Sequence, residues 1–178
     1  MTMAGEKTNI ILIGMAGCGK SAVGRRLAAM LHRPFIDTDD LIVQNQGHPL
    51  QDIIDRLGPQ GFRQIEEKVL LAVKLRDHVI ATGGSSIYSR AGMAHLREIG
   101  QIVLLQVELA ALQERVGDAA SRGLVKRPEQ SFAELYAERQ PLYLEHAEYV
   151  YACGTQDVES VCMGLRALLP MVSSGNPG

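Results

Sequence analysis

Residues 9–21 have the sequence NIILIGMAGCGKS, in which a short apolar run leads directly into a glycine-rich loop. The loop, residues 14–21, matches the pattern Gly-x-x-x-x-Gly-Lys-Ser. Glycines allow successive backbone N–H groups to converge on phosphate oxygens, and the following helix adds its positive N-terminal end. Lys20 is then placed to reach the β- and γ-phosphates, and the Ser21 hydroxyl to bind Mg²⁺. Because a strand pattern precedes the loop and a helix pattern follows it, we favour a nucleotide phosphate site over an ordinary glycine-rich turn.

Short apolar runs alternate with longer segments of helical spacing along the chain, which is typical of βαβ units and a parallel sheet. We predict strands at residues 9–13, 35–37, 78–82, 101–107 and 149–153. We predict helices at residues 20–31, 39–45 (capped by Thr38), 50–57, 60–75, 89–99, 108–116 and 158–169, and a long helix that Ser131 caps and that is interrupted or ended near Pro141. The pattern predicts a doubly wound, three-layer α/β/α fold with a five-stranded parallel sheet and ligands at the carboxyl ends of the strands.

The length of the chain, 178 residues, predicts a single domain spanning residues 1–178. A polar, arginine-bearing stretch at about residues 117–130 is the best candidate for a mobile lid. Residues from about 171 to 178 are predicted to form a flexible tail.

Charge and composition argue against several classes of partner. The formal net charge of −2 gives no electrostatic reason to expect nucleic acid. No apolar run approaches the length of a bilayer-spanning helix. The three cysteines (Cys18, Cys153 and Cys162) lack metal-ligand spacing and indicate a reducing compartment. We therefore expect a cytoplasmic protein that binds small molecules rather than nucleic acid or a membrane.

Two carboxylates follow the second predicted strand, because Asp37 and Asp39 flank Thr38. If this strand neighbours the first, both carboxylates lie beside the phosphate loop. One would then face Mg²⁺ and the other an acceptor hydroxyl. The alternative is that the acidic run only caps and charges a helix N-terminus. The presence of the glycine loop makes us favour the functional interpretation.

Other charged and glycine-rich positions are ambiguous when taken one at a time. Arg63 and Glu66 lie three residues apart in a helical run, so a surface ion pair is the alternative to a site role. Residues 83–85, Gly-Gly-Ser, close the third strand, where bare backbone is suited to a pocket floor. Three further arginines stand near the candidate lid or before a Pro-Leu-Tyr sequence: Arg115, Arg122 and Arg139.

The set of motifs, taken in order, resembles the shikimate kinase family. The motifs are GMAGCGKS, DTD, FRQIE, GGS, the arginine-bearing segment 115–122 and RQPLY, and the resemblance extends from about residue 9 to about residue 169. The glycine loop is common to many nucleotide-binding proteins. Asp39, Arg63 and Arg139 in the same register are the specific part of the resemblance.

The resemblance implies a nucleoside monophosphate kinase-like fold and an ATP-dependent kinase of the shikimate pathway, which transfers the γ-phosphoryl group of ATP to the 3-hydroxyl of shikimate. It implies catalytic roles for Lys20, Asp39 and Arg122. It implies ATP binding by Gly14, Gly17, Cys18, Gly19, Lys20, Ser21, Ala22, Arg115, Arg122 and Gln156. It implies shikimate binding by Asp39, Arg63, Gly83, Gly84 and Arg139, Mg²⁺ binding by Ser21 and Asp37, and a monomeric enzyme.

Two positions depart from the family pattern. Ser85 stands where the family has the third glycine of a triplet, and residues 123–125 are Gly-Leu-Val where the family usually has Pro-Leu-Leu. These departures leave open a kinase for another small hydroxylated acid, such as a sugar acid. A non-catalytic ATP-binding regulatory module is a third possibility. Cys18 in the loop is either a redox-sensitive residue or, as we favour, a small residue that fits.

Overall fold

The sheet has five parallel strands in the order β2-β3-β1-β4-β5 in a computed structural model that describes residues 7–116 and 124–170. The strands are β1 (Asn9–Ile13), β2 (Phe35–Asp37), β3 (Val79–Ala81), β4 (Gly100–Gln106) and β5 (Tyr149–Ala152). Every residue of the central strand β1 is buried. Successive side chains of a strand point to opposite faces, so helices cover both faces of the sheet. The predicted three-layer fold with a five-stranded parallel sheet is confirmed.

The order of the strands bears on the position of Asp37 and Asp39, which we expected beside the phosphate loop if the second strand neighbours the first. Strand β2 does not neighbour β1, because β3 pairs with both and lies between them. Asp37 nevertheless reaches the first helix, since its Oδ2 atom accepts a hydrogen bond from Ser21 Oγ at 2.6 Å. Asp37 therefore lies beside the phosphate loop because it contacts Ser21 of helix α1, although β2 and β1 are not paired.

The helices agree with the predicted positions to within a few residues. They are α1 (Lys20–Met30), α2 (Thr38–Gln46), α3 (Leu50–Ala72), α4 (Arg90–Ile99), α5 (Leu109–Val116), α6 (Phe132–His146) and α7 (Val158–Leu168), with a short 3₁₀ helix at Ser86–Tyr88. The two segments predicted at 50–57 and 60–75 form the single element α3, which is bent at Gly58 (φ 67°, ψ 176°).

Two details of the helix ends correct the prediction. Asp37, and not Thr38, caps α2, because its side chain accepts a hydrogen bond from the Asp39 N–H. Helix α6 continues through Pro141 to His146. A capping box of Ser131 and Glu134 secures its start, and the buried side chains of Leu135, Arg139 and Tyr143 hold it to the core. This packing offsets the hydrogen bond that proline removes.

The apolar interior has two parts. The larger surrounds the sheet, with the side chains of β1 and β4 at its centre. The smaller joins α2, α3 and the segment after residue 123 through Ile42, Ile53, Ile54, Phe62, Val69 and Val125. Among the helices of residues 7–116 and 124–170, none has the length and hydrophobicity of a membrane-spanning segment.

Candidate active site

The phosphate loop connects β1 to α1 at the carboxyl end of the central strand. Gly14 has a φ of +148°, and a Cβ atom there would lie 2.8 Å from both Cys18 Sγ and the Leu105 carbonyl oxygen. Only glycine fits this position, because backbone strain and crowding both oppose a side chain. Within the loop, the Cys18 N–H donates to the Met15 carbonyl oxygen at 3.2 Å. The N–H groups of the first turn of α1 lack an intrahelical acceptor and are available to phosphate oxygens.

Lys20 and Ser21 occupy the first turn of α1 and line the cavity beside the loop. The Lys20 ammonium donates to the carbonyl oxygens of Gly14, at 2.7 Å, and Met15, at 2.9 Å. These bonds hold the cation against the loop, where phosphate oxygens would meet it. Cys18 is buried, and its Sγ lies 3.7 Å from Lys20 Nζ.

Asp37 joins the phosphate loop to the start of α2. Its Oδ2 accepts from Ser21 Oγ at 2.6 Å, while its Oδ1 accepts from the backbone N–H of Asp39 at 3.0 Å. The neighbouring Thr38 is buried, and its Oγ1 accepts from the Gly83 N–H at 3.1 Å. These bonds fix the two acidic residues relative to both the loop and the end of β3.

Two carboxyl groups flank the backbone of Gly83. A Cβ atom at Gly83 would lie 2.5 Å from Glu66 Oε1 and 2.6 Å from Asp39 Oδ1. Desolvation in the site, followed by the nearby charge of Asp37, raises the pKa of Asp39 to about 6. Burial raises the pKa of Glu66 to about 7, although a hydrogen bond from Ser85 acts in the opposite direction. Both groups are thus easier to protonate than ordinary carboxylic acids.

Glu66 does not form the surface ion pair with Arg63 that was the alternative to a site role. Its side chain is 1% exposed, and its Oε2 accepts from Ser85 Oγ at 2.5 Å. Its other oxygen has no partner among the described residues. The serine that replaces the third glycine of the family triplet is therefore anchored to α3 by this bond.

Arg139 reaches the cavity from α6 and is 1% exposed. Its Nη2 donates to the Val125 carbonyl oxygen at 2.5 Å, while its Nε has no partner among the described residues. One turn later, the buried Tyr143 donates to the Gly84 carbonyl oxygen at 2.6 Å. Helix α6 thus supplies a cation to the site and at the same time fixes the turn after β3.

Arg63 lies just outside the central cavity. It lines a neighbouring cavity of about 130 Å³ together with Glu66, Ser85 and Tyr88. Its guanidinium carbon is 3.6 Å from the centroid of the Tyr88 ring. Arg139 approaches the same ring at 5.5 Å. Tyr88 therefore lies beside both arginines of the predicted substrate site.

The central cavity has a volume of about 320 Å³. Its phosphate side is lined by Ala16, Gly17, Gly19, Lys20, Ser21 and Ala22, and its acceptor side by Leu50, Phe62, Gly83, Gly84, Ser85, Leu124, Val125 and Arg139. Asp37, Asp39 and Thr82 complete the lining. A phosphate donor and a small acceptor would thus share one space.

The residues predicted near the adenine lie around the loop after β5. Arg115 donates to the Gly154 carbonyl oxygen at 3.4 Å, and Gln156 accepts from the Tyr151 hydroxyl at 2.9 Å. Arg122 lies outside the described residues, as do the first half of the predicted lid, residues 117–123, and the predicted tail. Within the predicted lid, Leu124 and Val125 are buried.

Sequence reasoning assigned no site role to Glu66, Tyr88 or Tyr143. Glu66 and Tyr143 belong to the FRQIE and RQPLY motifs, so the motifs themselves carried a signal for these two residues. Tyr88 has no such signal, because its contacts with Arg63 and Arg139 join segments that are far apart in the chain.

A phosphate loop that opens onto an acceptor-sized space at the carboxyl end of a parallel sheet defines a P-loop kinase that acts on a small molecule. The family model for shikimate kinase matches residues 16–168. The chain belongs to the shikimate kinase family and is a phosphotransferase that uses ATP. The predicted family and class of enzyme are confirmed.

Relatives and solved structures are similar over most of their length. The shikimate kinase of Caldanaerobacter subterraneus subsp. tengcongensis is 35% identical over 156 residues, which cover 86% of this chain and 91% of the relative. That of Vibrio vulnificus is 35% identical over 159 residues, 88% of this chain and 92% of the relative. A shikimate kinase from Acinetobacter baumannii in complex with shikimate superposes with a TM-score of 0.84 at 31% identity, covering 92% of this chain and 93% of that one. The shikimate kinase of Aquifex aeolicus gives 0.77 at 28% identity, with coverages of 90% and 95%.

Proposed function

We propose that this chain transfers the γ-phosphoryl group of ATP to the 3-hydroxyl of shikimate, giving shikimate 3-phosphate and ADP. The observation that carries the proposal is that the phosphate loop, Asp39 and Arg139 line one cavity of about 320 Å³. The Acinetobacter baumannii relative with bound shikimate adds support from a chain of the same fold.

On the phosphate side, Lys20 stabilises the negative charge that spreads over the transferring group, and the backbone of residues 14–22 cradles the phosphates. The cation that accompanies ATP is Mg²⁺, which prefers oxygen ligands. The residues present fit it, because Ser21 Oγ and Asp37 Oδ2 lie 2.6 Å apart at the cavity wall. When bound, Mg²⁺ neutralises phosphate charge; Ser21 and Asp37 are the groups that would hold it, Asp37 directly or through a water.

On the acceptor side, Asp39 orients the acceptor hydroxyl and accepts its proton. Its raised pKa of about 6 leaves it mostly ionised at neutral pH while making it a better base than an ordinary aspartate. Arg139 and Arg63 receive the carboxylate of shikimate, since a guanidinium matches a carboxylate with two parallel hydrogen bonds. Gly83 and Gly84 present backbone to the substrate at the end of β3.

The remaining predicted residues bind the nucleotide or exclude water from the site. We assign Arg115 and Gln156 to the adenine end and Cys18 to the phosphate loop as a small packed residue. Arg122 acts on the phosphates from the lid, whose closure keeps water away from the transferring group. We also propose that the enzyme acts as a monomer in the cytoplasm, a compartment that suits its three buried free cysteines.

The test is a coupled assay of ADP release with shikimate as the acceptor. We expect turnover that requires ATP and Mg²⁺, and a loss of at least about 100-fold in kcat for Lys20→Met, because a charge that stabilises the transition state is removed. Lys74→Met is the matched control, since Lys74 is exposed, and it should retain full activity. Turnover with another hydroxylated acid but not with shikimate would identify a different kinase. ATP binding without turnover on any acceptor would identify a regulatory module.

A further inference from the structure

Tyr88 ends the short 3₁₀ helix that follows the Gly-Gly-Ser turn. Its backbone N–H donates to the Ser85 carbonyl oxygen at 3.0 Å, so the turn itself determines where the ring lies. The ring meets the Arg63 guanidinium at 3.6 Å and lies 5.5 Å from that of Arg139. A guanidinium over an aromatic face is stabilised by the negative face of the ring without any neutralisation of its charge.

The two guanidiniums have no acidic partner within the described part of the chain. No carboxylate oxygen of residues 7–116 or 124–170 lies within 4.0 Å of Arg63 or Arg139. The Nε atoms of both are buried and without a hydrogen-bond partner there. Arg139 is buried and Arg63 is partly buried. Because buried cations are normally paired, this arrangement leaves two cations ready for an anion from outside the protein.

The acidic groups around these arginines are occupied elsewhere. Glu138, on α6, accepts from the Tyr88 hydroxyl, from Gln130 Nε2 at 2.7 Å and from Arg127 at 3.3 Å. Glu67 accepts from Ser89 Oγ at 2.6 Å. Glu66 accepts from Ser85, and burial raises its pKa to about 7, so it carries only part of a negative charge at neutral pH.

We propose that Tyr88 is a positioning residue for the acceptor carboxylate: its ring holds the guanidinium of Arg63, and its hydroxyl engages Glu138, so that neither arginine is captured by an internal acid. The inference rests on the proposed function, because it requires an acceptor that bears a carboxylate. The proposal gives Tyr88, which lies three residues after Ser85, a role in selecting acceptors that carry a carboxylate.

The ring and the hydroxyl are separable by mutation. Tyr88→Leu removes the aromatic face, and we expect KM for shikimate to rise about tenfold while KM for ATP stays within twofold. Tyr88→Phe keeps the face but releases Glu138, and we expect a rise of about threefold. Adding Glu138→Gln to Tyr88→Phe removes the competing charge and should return KM for shikimate to near the wild-type value. A role in folding alone would not give this rescue.

The coupling to Arg63 is tested with a double-mutant cycle. In an Arg63→Ala background, Tyr88→Leu should add less than twofold to KM for shikimate. Tyr136→Phe is the matched tyrosine control, because Tyr136 also lies half-buried and, within residues 7–116 and 124–170, donates only to the Val107 carbonyl oxygen, at 3.4 Å. It should leave both KM values unchanged. Thermal melts of every variant establish that each is folded.

The outcomes separate the two proposals. If the wild type phosphorylates shikimate but Tyr88→Leu leaves its KM unchanged, or adds a full tenfold in the Arg63→Ala background, the positioning role is overturned and the proposed function stands. If the melts show that Tyr88→Leu does not fold, the rescue of Tyr88→Phe by Glu138→Gln decides, and its failure overturns the proposal. A wild type that is inactive with shikimate overturns both.

Discussion

Asp39 is placed to act as the base of the reaction, and its pKa of about 6 gives this role a measurable signature. A protonated carboxyl cannot accept the proton of the acceptor hydroxyl. We therefore expect kcat/KM to fall about tenfold per pH unit below pH 6 and to level off above it. A pH–rate profile with both substrates limiting measures this, because the rate then reflects the free enzyme.

The adjacent acid offers a control for this profile. Asp40 lies on the same turn of α2, is exposed and is 3.9 Å from Arg25. Asp40→Asn should keep the rate and an acidic limb, with the midpoint moved to lower pH because the charge of Asp40 contributes to the raised pKa of Asp39. Asp39→Asn should lose most of the activity together with the limb, and an acidic limb that survived in Asp39→Asn would assign it to another group.

Glu66 should make the stability of the protein depend on pH. Its pKa in the folded state, about 7, lies above the ordinary value of 4.5, so the folded state binds this proton more tightly than the unfolded state. The resulting stability is fully present below pH 4.5 and is lost as the pH rises through 7. Between pH 5 and pH 8 we expect the free energy of unfolding to fall by about 2–3 kcal/mol on this account, at 1.4 kcal/mol per unit of pKa. Urea denaturation at pH 5 and pH 8 measures it.

Glu66→Gln isolates this contribution, since the amide oxygen still accepts the hydrogen bond from Ser85. The variant should lose less stability than the wild type between pH 5 and pH 8. Glu98→Gln removes an exposed glutamate and should leave the wild-type dependence unchanged. Equal pH dependence in the wild type and Glu66→Gln would show that Glu66 is ionised in the folded state as easily as in the unfolded one.

At the scale of elements, the turn after β3 is where three parts of the fold meet. The Gly83 N–H donates to Thr38 at the start of α2, Ser85 donates to Glu66 on α3, and Tyr143 of α6 donates to the Gly84 carbonyl oxygen. Each bond joins the turn to a helix that is 19 to 59 positions away along the chain. The turn therefore transmits the packing of three helices to the acceptor side of the cavity.

Gly83→Ala should damage this junction. The added Cβ would lie 2.5 Å from Glu66 Oε1 and 2.6 Å from Asp39 Oδ1, so one or both carboxyls must move. We expect kcat/KM for shikimate to fall by about 100-fold, since a displacement of the base by a fraction of an ångström is costly. Steady-state kinetics with ATP saturating measures the effect.

Gly47→Ala serves as a comparison that loses stability without touching the site. Gly47 ends α2 with a φ of +70°, and a Cβ there meets no atom of the described part of the chain within 4 Å. That variant should lose about 1 kcal/mol of stability and keep its kinetics. If Gly83→Ala behaved in the same way, the two carboxyls would have more freedom than the packing around Gly83 indicates.

Features that depend on interactions between residues close in sequence were predicted well, and features that depend on contacts between distant residues were not. The phosphate loop, the five strands and the positions of the helices depend on local pattern, and the sequence predicted them closely. The order of the strands could not be predicted from the sequence, because hydrophobic periodicity indicates which residues form a strand but not which strand lies beside it. For the same reason, the sequence left open whether β2 neighbours β1, and in the structure β3 lies between them.

The predicted site shows the same division. Lys20, Asp39 and Arg139 were identified from motifs, and all three line the central cavity. The contacts of Glu66 with Ser85 and of Arg63 with Tyr88 bring together residues about twenty positions apart on different elements. Such contacts have no spacing rule along the chain. The burial that turns Glu66 from a surface charge into a weak acid is visible only after folding.

At the scale of the whole molecule, the two sides of the cavity differ in the parts of the chain that build them. The phosphate side belongs to the sheet and α1, within the larger apolar core. The acceptor side borders the smaller core through Leu50, Phe62 and Val125, and meets the larger core at Leu124. Two ligands that bind these sides should therefore stabilise the folded protein separately, each in proportion to its own affinity.

Thermal denaturation with single ligands tests this division. At a concentration of 100 times its Kd, a ligand adds about 2.7 kcal/mol to the folded state, which corresponds to roughly 5–10 °C in Tm for a chain of this size. We expect shifts of this order from ATP with Mg²⁺ and from shikimate. The methyl ester of shikimate, tested at the same concentration as shikimate, should give a much smaller shift because it lacks the charge that Arg139 and Arg63 receive. Arg139→Ala should remove the shift with shikimate and keep the shift with ATP. Equal shifts from shikimate and its ester would mean that the two arginines do not recognise the carboxylate.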